Sequence, residues 1–211
     1  YDALAATDKL GTLVDLPIER ETGESVDLSP GPLTFQFQDV EFGFKEPLFV
    51  GFNLSIGAGE SVGISGSLGS GCGRLLDLAY GLRSPSKGTV LVNQRDLRLW
   101  HLDTIRSGIN LMRQTEIFEG SIAENVRLAN HSISLDEVRR QLNHVGLLER
   151  IRRLPNGIDT QLQTGGRPLS RGENQLLCLA RVLVSNPRAI LLDKVLDGLD
   201  DKQFSKALET L

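Results

Sequence analysis

The stretch Gly66-Ser67-Leu68-Gly69-Ser70-Gly71-Cys72-Gly73 constrains this chain more than any other. It follows an apolar alternation, Glu60-Ser61-Val62-Gly63-Ile64-Ser65, and precedes Leu75-Leu76-Asp77-Leu78-Ala79, which reads as a helix. A strand, a glycine-rich turn and a helix in that order predict a loop that cradles phosphate. Glycines let consecutive N–H groups converge on an anion, and the helix N-terminus adds partial positive charge. The spacing fits G-x-x-x-x-G-K-[ST] except at its end, where Cys72 replaces the lysine and Gly73 the hydroxyl residue. The lysine reaches the β- and γ-phosphates and the hydroxyl holds Mg²⁺, so the loop retains a means of holding phosphate without two means of activating it. Nucleotide binding is favoured over catalysis. Alone, a Gly/Ser turn describes an ordinary connector equally well, and the rest of the chain decides.

A chain of 211 residues buries a good core as one domain, or as one domain with a lobe. An apolar fraction of 40% and a charged fraction of 24% are those of a globular protein. A net charge of −4 gives no reason to expect nucleic acid as a partner. No apolar run reaches the ~18 residues of a membrane helix, and no signal peptide is visible. Two cysteines, Cys72 and Cys178, make no disulfide framework, so a reducing compartment is the default. A start at Tyr1 rather than Met suggests a piece of something larger.

Residues 1–32 read as a linker, with Leu4, Ala5, Leu10, Leu13, Val14 and Leu16 at helical spacing until Pro17. After the breakers Ser29-Pro30-Gly31-Pro32, alternation over 33–40 and then 41–44 predicts antiparallel strands, and 88–92 a further strand. The region from about 115 to 184 reads as mostly helical, with Ser134 capping a helix that presents Val138, Leu142 and Val145. Ala189-Ile190-Leu191-Leu192 is a short continuous apolar run, suited to a strand covered on both faces, and it ends in Asp193. In open α/β sheets ligands sit beyond the carboxyl ends of the strands. Asp193 is therefore the expected partner of the glycine loop and a candidate ligand for Mg²⁺.

With these motifs in order, the chain resembles the ATP-binding domains of ABC transporters, and of exporters in particular. Leu169-Ser170-Arg171-Gly172-Glu173-Asn174-Gln175 resembles the signature LSGGQxQ, with Leu179-Ala180-Arg181 following it. Gln114 matches the Q-loop glutamine and Phe44 the aromatic residue that stacks on adenine. Residues 118–125, 154–157 and Leu199-Asp200 match further segments of the family. The resemblance implies an α/β P-loop NTPase (RecA-like) core with an antiparallel β-lobe and a helical signature subdomain, over residues 33–211. It implies ATP and Mg²⁺ as cofactors, a membrane-spanning domain and a second, non-identical ATP-binding domain as partners, and a place on the cytoplasmic face of the inner cell membrane. Carried over residue by residue, the nucleotide site comprises Phe44, Gly66, Ser67, Gly69, Ser70, Gly71, Cys72, Gly73, Arg74, Gln114, Ser170, Gly172 and Asp193, with Gln114 and Asp193 as metal ligands.

The departures from the family pattern matter as much. Lys194 stands where the family has its catalytic glutamate, and an ammonium cannot act as base toward water. Arg171 and Glu173 replace Gly and Gln in the signature. His101, His131 and His144 all precede Asp193, so none is the switch histidine, which is expected beyond Leu211. Four residues carry a second reading beside the functional one. Ser170 and Glu173 form the spacing of a capping box, Phe44 continues a run of strand phenylalanines, and Cys72 is either a redox-sensitive thiol or drift at an abandoned lysine position. The leading expectation is ATP binding coupled to transport with impaired hydrolysis. A slow but genuine ATPase and a nucleotide-free interaction domain are the rivals.

Overall fold

The computed structural model describes residues 23–25, 28, 31–43, 47–67, 69–128 and 130–210. The expected linker helix at 4–16 and Phe44 lie outside the described residues. In chain order the elements are β1 (Phe35–Gly43), β2 (Pro47–Ile56), α1 (Cys72–Ala79), β3 (Lys87–Val92), β4 (Arg95–Asp96), α2 (Leu102–Gly108) and β5 (Ile109–Met112). They continue with β6 (Gly120–Ser121), α3 (Ile122–Arg127), α4 (Leu135–His144), α5 (Leu148–Arg152), β7 (Gln161–Leu162), α6 (Arg171–Val184), β8 (Ala189–Leu192) and α7 (Asp201–Thr210). No helix among the described residues is long and apolar enough to cross a membrane.

The antiparallel lobe has the strand order β2-β1-β3-β4. Two separate strands are expected over 33–44; the structure has one, β1, with a register shift in it. Buried side chains fall at Phe35 and Phe37, then at Val40 and Phe42, so the two-residue period slips by one. A slip of one would turn the second half of the strand outward, and a bulge absorbs it. Asp39 takes a left-handed φ of 47° at the bulge, and its N–H is held by Asn53 Oδ1 at 3.0 Å. Gly88 faces the bulge: a Cβ there would sit 2.3 Å from the Asp39 carbonyl oxygen, so no side chain fits. The apolar face of the lobe packs on Leu75, Leu78 and Ala79 of α1.

The strand expected over 60–65 does not form, and Val62 and Ile64 are 39% and 40% exposed. Its alternation suits a strand, but a strand needs a neighbour to complete its ladder. Among the described residues β8 pairs only with β5, in parallel from Ile109↔Ala189 to Met112↔Leu192. That pair has the expected short apolar character, and it ends in Arg113 and Asp193.

The helical lobe is built around α6, which is buried nearly all round through Leu176, Leu177, Leu179 and Ala180. Helices α3 and α4 pack against it. Ser134 caps α4 as expected, its Oγ accepting from Glu137 N–H at 3.1 Å, and Val138, Leu142 and Val145 enter the core. Ala207 of α7 is fully buried in the same cluster.

Candidate functional site

The glycine loop leads into α1 with the geometry an anion cradle requires. Gly69 and Gly71 have φ of 89° and 85°, a region L side chains rarely enter. Gly71 is also the N-cap of α1, where a Cβ would meet the Phe49 ring at 2.9 Å, so both conformation and space demand glycine. No side chain caps α1, whose Arg74 and Leu75 N–H groups close onto the Gly71 carbonyl at 2.7 and 3.3 Å, and an uncapped helix start favours an anion. Ser70 N–H closes a turn onto the Ser67 carbonyl at 3.0 Å. The Cys72 thiol is 3.2 Å from the Ser70 hydroxyl, and both lie against Gly66. In place of a long ammonium arm, this position therefore has a short thiol bonded within the loop.

The helix start sits at the carboxyl ends of the two parallel strands. Asp193 N–H donates to the Met112 carbonyl at 2.9 Å, which sets the two strand ends side by side. The Asp193 carboxylate lies over Gly73, where a Cβ would be 2.8 Å from Oδ2. Arg113 connects these pieces: its Nη2 donates to the Gly73 carbonyl at 3.0 Å, and its Nε lies 3.6 Å from Asp193 Oδ2. The same guanidinium is 2.5 Å from Oδ1 of Asp77, a carboxylate 2% exposed on the inner face of α1. Arg74 and Arg83 reach the other oxygen of Asp77, at 2.9 and 3.5 Å. Burial alone pushes the Asp77 carboxyl upward; hydrogen bonds from Arg74 and Arg113, and their charges, reverse this and hold it below the usual carboxylate range. Arg74, expected at the phosphates, pairs with Asp77 through Nη1 and is otherwise 44% exposed in its side chain.

Asp77, Arg83 and Arg113 were not legible as site residues. Asp77 sits within an apolar helix, where a carboxylate is costly without partners. That mismatch was the available signal.

Gln114 is exposed two residues after the end of β5, and Lys194 is exposed after Asp193 with a left-handed φ of 57°. The loop, Gln114, Asp193 and Lys194 are thus brought to one end of the parallel strands. Ser170 and Gly172 are elsewhere in the chain's own fold, at the start of α6, where Gly172 lies against Gln203 and Gly198. The capping box forms: Ser170 N–H donates to Glu173 Oε2 at 2.7 Å, and Glu173 N–H to Ser170 Oγ at 3.2 Å. Glu173 also holds Arg150 of α5 at 2.9 Å. Ser170→Ala is expected to cost about 1 kcal/mol of unfolding free energy, the usual worth of such a cap. Urea unfolding checks it, and an unchanged midpoint would remove the structural role.

The remaining candidates have structural places. His101 caps α2, its Nδ1 accepting from Asp103 N–H at 3.3 Å; His131 and His144 are exposed. Cys178 is buried in α6, and burial pushes its thiol up despite Arg181 beside it.

Residues 49–196 match the model of the ABC transporter family, most of the chain. The chain belongs to that family. It is a nucleotide-binding domain of the exporter type. Over 99% of its length it is 30% identical to the "ATP-dependent lipid A-core flippase" of Desulfotalea psychrophila, covering 37% of that protein. It is 31% identical, over 89% of its length, to the mitochondrial "Iron-sulfur clusters transporter ATM1" of Candida glabrata, covering 26% of that protein. Among solved structures it superposes on a bacterial Atm1-family ABC exporter with ATP bound, with a TM-score of 0.85 and 26% identity over 99% of this chain and 37% of that one. The chain thus spans about a third of the length of these relatives. ABC transporter domains bind ATP with Mg²⁺.

Proposed function

We propose that this domain binds ATP to support transport across a membrane and has little or no hydrolytic activity of its own. The observation that carries this reading is Lys194. It follows Asp193 at the strand end, where a base would have to receive a proton from the attacking water, and an ammonium has no lone pair to offer. The loop retains the glycine geometry and the free helix N-terminus that hold phosphates, so binding and cleavage are separated in one site. Gly66, Ser67, Gly69, Ser70, Gly71, Cys72 and Gly73 would surround the phosphates, Gln114 and Asp193 would flank them, and Phe44 would take the adenine.

The domain would act on the cytoplasmic face of the inner cell membrane, joined to a membrane-spanning domain and paired with a second, non-identical ATP-binding domain. Self-pairing would set a lysine-free loop against the altered signature Leu169-Ser170-Arg171-Gly172-Glu173 in both sites. A competent partner would contribute one intact loop and one intact signature. The test combines calorimetry with ATP, phosphate release and light scattering. ATP binding, turnover at background and no ATP-induced homodimer are expected. Sustained turnover after stringent purification would favour a slow ATPase, absence of binding an interaction domain, and a stable ATP-bound homodimer would refute asymmetric pairing.

A further inference from the structure

The carboxylate in position to hold Mg²⁺ already has a cation from the chain beside it. Arg113 Nε is buried, has no hydrogen-bond partner, and faces Asp193 Oδ2 at 3.6 Å. Its Nη2 is fixed by the Gly73 carbonyl at 3.0 Å and by Asp77 Oδ1 at 2.5 Å. The guanidinium therefore lies between the start of α1 and the end of β8, where a metal would bridge loop and strand.

The residues present do not fit a divalent ion. Gly73 offers no oxygen on its side chain, and the space a serine would need is taken by Asp193. Mg–O bonds are about 2.1 Å. An ion on Asp193 Oδ2 would then lie within about 6 Å of Arg113 Nε, given the 3.6 Å between those atoms. Three guanidinium groups, Arg74, Arg83 and Arg113, face two carboxylates, Asp77 and Asp193, and leave a cluster charge of +1 before any metal arrives. Adding a divalent ion beside that surplus is repulsive, whereas adding a polyphosphate is attractive. Among the described residues no group of three His, Cys, Asp or Glu side chains offers a metal another seat.

Building on the nucleotide-holding reading above, we propose that Arg113 is a phosphate-binding residue that takes the place of the metal, so that the site binds ATP as the metal-free tetra-anion. Arg113 is 31% exposed in its side chain, and its Nη2 is anchored on the Gly73 carbonyl at the start of α1, next to the loop. An arginine anchored in this way is a preorganised phosphate ligand.

Calorimetry of the whole chain with ATP, in EDTA and in Mg²⁺, tests this with Arg113→Gln and Arg113→Lys. The unmodified chain should bind within about twofold in the two buffers. Arg113→Gln should lose about tenfold in EDTA, the scale of one charge-assisted contact, and regain several-fold in Mg²⁺ because Asp193 is freed. Arg113→Lys, which keeps the charge, should stay near the unmodified chain in EDTA and show no gain from Mg²⁺. A purely structural arginine would weaken both buffers alike, with no change in metal dependence, and that result would overturn the proposal. So would a tenfold or greater gain from Mg²⁺ in the unmodified chain. Absence of ATP binding in every protein and buffer would instead defeat the nucleotide-holding reading, and this inference with it. If Arg113→Gln melts early, the unmodified chain and Arg113→Lys still decide the question.

Discussion

Lys194→Glu alone is expected to leave ATP turnover at background, while Cys72→Lys, Gly73→Ser and Lys194→Glu together raise it by at least about a hundredfold, the lower range of general-base catalysis. The single change returns a possible base to the end of β8. It leaves the loop with a thiol bonded to Ser70 and a helix start without a hydroxyl, so the phosphate that water must attack lacks the lysine and the hydroxyl that would position it for attack. Groups that act as a unit are not additive, and restoring one of three missing parts recovers little. The structure adds a condition that the sequence did not contain. A serine at 73 requires the Asp193 carboxylate to withdraw, since its oxygen lies 2.8 Å from the new Cβ position. Arg113 beside that carboxylate opposes the rearrangement, so adding Arg113→Gln to the triple variant should raise turnover further. Phosphate release under identical conditions checks the series. Every member faces the same Arg171 and Glu173 signature, which therefore cancels in the ratios. Robust turnover in Lys194→Glu alone would place the defect elsewhere than in the loop.

The parts of this site that were legible in the sequence are those written in short-range patterns. The glycine loop and α1 follow from spacing within a dozen residues, and so does the Ser170–Glu173 box. The 189–192 strand follows from a continuous apolar run that stops at a carboxylate. Alternation over 60–65 predicts a strand that does not form, because alternation specifies a face and not a neighbour; the ladder partner is a property of the whole sheet. The bulge in β1 was written in the phase slip between Phe37 and Val40, and reading the segment as two strands missed it. The arginine cluster was illegible for a different reason. Arg74 pairs with Asp77 at i,i+3 within α1 and Arg83 reaches it from the turn after that helix, but Arg113 meets it only after α1 is laid against β5, and charge in a sequence carries no record of so distant a partner.

The same cluster sets the largest stability effect expected from a polar change. Asp77→Asn should lower the unfolding free energy by about 2 kcal/mol near neutral pH. Breaking a fully buried ion pair costs about 3–5 kcal/mol, and the solvent exposure of the arginines reduces it here, since Arg74 and Arg83 can turn to water. Arg113 keeps the Gly73 carbonyl and Asp193 nearby, which limits the loss further. The pH dependence carries the sign. The folded-state pKa of Asp77 lies below its unfolded value, because the arginine hydrogen bonds and charges outweigh the upward push of burial. The folded chain therefore binds fewer protons at this site than the unfolded chain wherever the two differ. Its stabilising contribution is complete above the unfolded value of about 4 and is lost as pH falls through the folded value. Asparagine does not titrate, so the gap between the two proteins should be constant from neutral pH to about 5 and close below that. Urea unfolding of both proteins from pH 7 down to the lowest pH at which they remain folded measures the gap directly. A gap that stays fixed as the pH falls, or an asparagine variant as stable as the unmodified chain, would show that the three arginines hold Asp77 too weakly to anchor α1 beneath the loop.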